Sequence, residues 1–115
     1  LMYYKFSFLE KKETDLYEEY IDQFSDDPLF INQYCWRMTE LNTNLNKALQ
    51  KINLSLSMID ENDTNKAMIN DTKAEIFWKL GETDKAIITI NESIETDPSN
   101  EYYKNQKRKF LNSIN

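Results

Sequence analysis

Cys35 is the only cysteine of this 115-residue chain, and histidine is absent. Those two facts remove the commonest general base, the commonest metal ligand and any internal disulfide. A cysteine nucleophile needs an exposed site that stabilises its thiolate. Cys35 instead falls inside an apolar helical stripe, where it reads as a small filler of a packed position. The stretch DENDTNKAMIND (residues 60–71) imitates a calcium loop, yet it lacks the glycine of the sharp turn and ends in Asp71 where a bidentate Glu is needed. It reads as a polar loop. The neighbouring acids Glu18 and Glu19, and Asp26 and Asp27, are surface charges rather than an acid/base pair. The basic run KNQKRK (residues 104–109) is short and sits on an acidic chain, so it reads as a solvated face rather than a nucleic-acid site. The Asn-x-Ser/Thr matches at Asn53, Asn62, Asn70 and Asn91 arise easily in an Asn-rich chain and carry no weight. No catalytic residue, metal site or cofactor site is expected, and the chain is not expected to be an enzyme.

A function by surface recognition remains, and composition narrows its partner. The net charge of −6 opposes a nucleic acid, because neutralising phosphates takes a clustered excess of Lys and Arg. No apolar run approaches the roughly 20 residues of a membrane span, and LMYYKFSF at the start lacks the features of a signal peptide. The reading is a soluble chain with cytoplasm and periplasm both open. A start on Leu1 rather than Met suggests a piece of something longer.

The elements that must carry such a surface are helices. One Gly and two Pro in 115 residues leave few breakers. Two ten-residue stretches, KALQKINLSL (residues 47–56) and KAIITINESI (residues 85–94), fit one phrase: Lys-Ala-aliphatic-x-x-Ile-Asn-x-Ser-aliphatic. Upstream of each, Cys35, Met38 and Leu41 recur as Ala74, Phe77 and Leu80. Self-similarity at such a period marks stacked supersecondary units, none of which buries its apolar face alone. Phe77, Leu80, Ala86, Ile87, Ile90 and Ile94 follow helical spacing with one break at GETD (residues 81–84), which predicts two helices facing each other. Gly81 suits a left-handed helix end, Asp84 is expected to cap the next helix, and Pro98 stands just past its end. Ala74 and Ala86 let the paired helices approach closely.

The stretch AEIFWKLGETDKAIITINESIETDPSN (residues 74–100) resembles most of a tetratricopeptide repeat: a small residue, an aromatic, a Leu-Gly turn, an Ala opening the second helix and Asp-Pro closing it. Residues 28–66 resemble a more divergent copy, with Cys35 in the small slot, Tyr34 and Met38 in large slots, and Ala48, Ile52 and Ser55 in the second helix. This copy has NTN (residues 42–44) in place of the turn glycine and no closing proline. The expected fold is therefore all-α, with antiparallel helical hairpins stacked as a short solenoid. Residues 1–27 form a divergent N-terminal hairpin with aromatic faces (Tyr3, Tyr4, Phe6, Leu9; Leu16, Tyr17, Tyr20, Ile21, Phe24). Residues 28–66 and 67–100 form the two repeats. Residues 101–115 form a capping helix that stacks Tyr103, Phe110, Leu111 and Ile114 and turns Lys104, Lys107, Arg108 and Lys109 outward.

The resemblance implies a concave groove lined by the first helix of each repeat, and threading places Asn32, Trp36, Asp71, Glu75 and Trp78 there. It implies a non-enzymatic module that binds another protein, as a peptide segment or helix with apolar and basic residues. The carboxylate clamp by which some family members hold chaperone tails is not expected, because acids stand where it needs basic and amide groups. Two readings of Trp36 and Trp78 stay open: groove lining, or core beneath the N-terminal hairpin. An alternative function also stays open, since similar divergent repeat pairs form helical tails of some bacterial thioredoxin-like proteins: an accessory domain of a larger protein.

Overall fold

Pro28 has no N–H to leave orphaned, and the Asp27 carboxylate accepts from the backbone N–H groups of Leu29 and Phe30, so a helix starts there on local chemistry alone. The structure is a computed structural model that describes residues 2–114, with side chains from residue 8 onward. Among these residues there are six helices and no strand: α1 (Met2–Ile21), α2 (Pro28–Leu41), α3 (Leu45–Ser57), α4 (Asn65–Lys79), α5 (Thr83–Thr96) and α6 (Glu101–Asn112). Each helix packs on the next, and α2 also lies against α4. Among the described residues no helix is long and apolar enough to cross a membrane.

The repeated phrase has a repeated geometry. The Ser55 hydroxyl donates to the Pro28 carbonyl at 3.1 Å, and the Ser93 hydroxyl donates to the Ala67 carbonyl at 2.7 Å. In each hairpin, then, the serine of the second helix ties the first turn of the first helix. The small slots are both closed: Cys35 and Ala48 are fully buried, with the Cys35 Sγ–H donating to the Ala48 carbonyl at 3.2 Å, and Ala74 and Ala86 are fully buried in the second hairpin. The turns match too. Gly81 takes φ +83° and lets Glu82 N–H reach the Phe77 carbonyl at 2.9 Å. Asn42, at φ 53°, lets Thr43 N–H reach the Met38 carbonyl at 3.1 Å. Asparagine tolerates the left-handed region better than most residues, so the divergent turn works without glycine, and the extra residue is absorbed by Asn44 at φ 52°.

Two apolar clusters share one helix. Ile31, Tyr34, Cys35, Met38, Ala48 and Ile52 form the first with Ile21, and α4 adds Ile69 and Ile76 to it. The other side of α4 gives Ala67 and Ala74 to the second cluster, completed by Ala86, Ile90, Tyr103 and Phe110.

Three sequence expectations need correction. The N-terminal segment is one continuous helix rather than a hairpin: residues 10–14 contain no Gly or Pro, and the Thr14 hydroxyl bonds back to the Glu10 carbonyl at 2.9 Å instead of capping a new start. Of its expected faces, Ile21 is buried and Tyr17 half-buried, while Leu9, Leu16, Tyr20 and Phe24 are exposed. Tyr3, Tyr4 and Phe6 lie outside the described side chains. Asp84 does not cap α5, which begins one residue earlier at Thr83 after Glu82; Asp84 lies in the first turn, where its charge still complements the helix dipole. On α6, Tyr103 and Phe110 are buried as expected, but Leu111 and Ile114 are about half exposed, and Lys109 turns inward.

Candidate functional site

The five residues expected in the groove divide into two groups. Asp71, Glu75 and Trp78 sit on one stripe of α4, spaced by four and three residues, and α6 lies across them. Tyr103, Gln106 and Phe110 share a stripe of α6 at the same kind of spacing, so the buried anchors Tyr103 and Phe110 carry Gln106 inward with them. The Gln106 amide donates to Asp71 at 3.0 Å and to Glu75 at 3.1 Å. Lys109 reaches both oxygens of Glu75, at 2.6 and 3.1 Å, and its ammonium lies 4.4 Å from the Trp78 ring centroid. The Trp78 indole N–H donates to the Ser113 hydroxyl at 3.0 Å, and its ring leans on Phe110 at 5.7 Å between centroids. The cation and aromatic contacts anticipated for a ligand are made here by the chain's own last helix.

Burial is electrostatically expensive for this cluster. Asp71 is 5% exposed, and desolvation pushes its carboxyl from 3.8 up to about 6, with Glu75 adding repulsion and the Gln106 hydrogen bond opposing the shift. Tyr102, at the rim, is pushed up to about 12 by burial and by the negative charges of Asp71, Glu75 and Glu40.

The α2 part is open. Asn32, Trp36, Gln33, Arg37 and Glu40 border a hollow of about 400 Å³ with Tyr17 of α1 on its far wall. Trp36 is half-buried. Asn32 is 9% exposed, and its side-chain oxygen has no hydrogen-bond partner. Arg37 is fixed by Glu13, which takes its Nε at 2.7 Å and an Nη at 2.9 Å, and by Glu40 at 3.2 Å. The hydrogen bond to Arg37 is the main reason the Glu13 carboxyl is held below its ordinary range. Of the two acids, Glu40 borders the hollow itself.

Sequence reasoning missed Gln106, Arg37, Glu13 and Tyr17. A signal for Gln106 was present, since an amide at the centre of the Tyr103–Phe110 stripe must find a partner once buried. Nothing local announced Arg37, whose role depends on α1 lying alongside α2. Cys35 is fully buried, and desolvation pushes its thiol up to about 12. The segment that imitates a calcium loop is helical from Asn65 onward, so Asp71 faces α6 rather than a loop. Among the described residues, no three His, Cys, Asp or Glu side chains gather in a way that would hold a metal ion. Of the basic residues on α6, Lys104 pairs with Glu101 at 3.6 Å and Arg108 with Asn105. The chain matches no protein-family model and no curated protein.

Proposed function

We propose that this chain is a non-enzymatic, tetratricopeptide-like interaction module that binds a segment or helix of another protein in the hollow beside Trp36. The observation that carries the proposal is the half-buried Trp36 beside an open hollow of about 400 Å³ that it shares with Tyr17 of α1. The repeated serine and turn hydrogen bonds support the repeat reading. Glu13 and Glu40 outnumber Arg37, to which both are paired beside Trp36, which favours a basic, apolar segment.

Trp36 is the natural reporter. A library of basic-aromatic peptides titrated against the protein should change tryptophan emission, and Trp36→Ala should abolish binding while Trp78→Ala, whose ring is covered by α6, should spare it. Binding that survives Trp36→Ala unchanged, or a wild-type protein that captures no peptide, would overturn the proposal and leave the accessory-domain reading.

A further inference from the structure

The outer face of α1 has no use in the binding surface described so far. Its inner face is fixed to the body: Ile21 is fully buried, and Glu18 accepts from Tyr34, Asn44 and Lys47. Its outer stripe is apolar and uncovered, with Leu9 and Leu16 each 50% exposed and Tyr20 42% exposed. Beside Leu16 and Tyr20 opens an apolar hollow of about 440 Å³ walled by Phe24 and Phe30. Leu41, at the end of α2, lies across from Glu10 and Lys11, so the first two turns of α1 run past the end of the helix that supports it.

Charge is sorted along the same segment. Residues 1–12 carry Lys5, Lys11 and Lys12 against Glu10 alone, whereas residues 13–27 carry seven acids and no Lys or Arg. Lys12 and Glu19 are exposed and lie seven residues apart on one flank of the stripe Leu9, Leu16, Tyr20. Two such helices in parallel would set acid against acid. Antiparallel, each basic end meets an acidic one.

We infer that this face pairs antiparallel with the same face of a second copy of the chain, about a two-fold axis near Leu16. The heptad spacing then sets Lys12 of each copy opposite Glu19 of the other, brings the two Leu16 side chains together, and places Leu9 of one copy against Tyr20 of the other, at the mouth of the Phe24–Phe30 hollow. A one-helix interface is small, so the dimer is micromolar rather than nanomolar. This surface adjoins the Trp36 hollow through Tyr17, which lines both, but its test does not depend on a peptide.

Sedimentation equilibrium of the full chain, from micromolar to millimolar, should show a monomer–dimer equilibrium. Lys12→Glu and Glu19→Lys should each weaken it by at least about tenfold, because each creates two like-charge contacts. An equimolar mixture of those two variants should associate as well as wild type, and so should the doubly swapped chain. Both positions are exposed, and unchanged circular dichroism would confirm that the fold persists. The inference is overturned by a wild-type chain that stays monomeric across the range, by single variants that dimerise as tightly as wild type, or by a mixture that does not associate.

Discussion

The α2 and α4 faces start from comparable positions on comparable helices and end differently. On α2 the groove stripe carries Asn32 and Trp36 beside an open hollow. On α4 the stripe carries Asp71, Glu75 and Trp78; the two acids are hydrogen-bonded to α6, and Trp78 packs on Phe110 and bonds to Ser113 at the helix's C-terminal cap. The stripe that a helix shows is written in its own sequence, but whether that stripe stays open is decided by the helix that follows in the stack. An acidic, aromatic stripe near the C-terminal end of a stack therefore needs no external ligand if the next helix supplies an amide and a lysine.

The largest expected effect comes from lifting that cover. Phe110 is fully buried against Trp78, so Phe110→Ala should cost about 3–5 kcal/mol in a denaturant melt and shift Trp78 emission to the red. No change in either would mean that α6 does not close the α4 face. Overpacking the joint beneath comes next. Ala86→Leu should cost about 1–3 kcal/mol, because a fully buried alanine leaves no room for three more heavy atoms without strain. Unaltered melts would show that α4 and α5 do not meet there.

Asp71 sharpens the contrast through pH. Its carboxyl binds a proton more tightly in the folded chain, at about 6, than in the unfolded one, at 3.8. Its contribution to stability therefore improves as the pH falls from about 7 toward about 4, and is lost again as the pH rises through 6. Carboxyls held low by their partners, such as Glu13 and Glu18, work in the opposite direction, losing stability as acid protonates them. Asp71→Asn separates the two: the variant should be more stable than wild type at neutral pH, by on the order of 1–3 kcal/mol, with the advantage shrinking on acidification. An advantage that is absent at neutral pH, or that grows in acid, would contradict a desolvated Asp71.

The smallest effect is expected where the two hairpins are most alike. Cys35→Ala places in the first hairpin the residue that fills the same slot in the second, and should cost only about 1 kcal/mol for the lost sulfur contacts. Native Cys35 should react with a thiol reagent far more slowly than a free cysteine, since it is buried and its thiol is pushed up to about 12. Labelling at the free-thiol rate would show that the slot is open.

Much of this arrangement was legible because its causes are local. Gly81, Pro28, the Ala74–Ala86 slots and the repeated phrase each specify a turn, a start or a close approach within a few residues. The Ser55 and Ser93 recurrence was visible as well, although only the structure shows that each serine ties down the helix before it. The direction of Lys109 was not legible. On α6 it belongs to a basic run that faces water by pattern, and it turns inward because Glu75 and Trp78, 34 and 31 residues earlier, wait beneath it. The continuity of α1 was misread for a related reason: a Thr that suits a cap also suits a helix interior when its hydroxyl can reach the carbonyl four residues back.

Because α4 gives Ile69 and Ile76 to one apolar cluster and Ala67 and Ala74 to the other, neither hairpin can melt while leaving its neighbour's interior intact. In a nearest-neighbour description of a stacked chain, the coupling between the two hairpins then rivals the intrinsic stability of either. Amide protons in the middles of α3 and α5, though they belong to different hairpins, should accordingly exchange through the same global opening, whereas those of the overhanging first turns of α1 should exchange through local fraying.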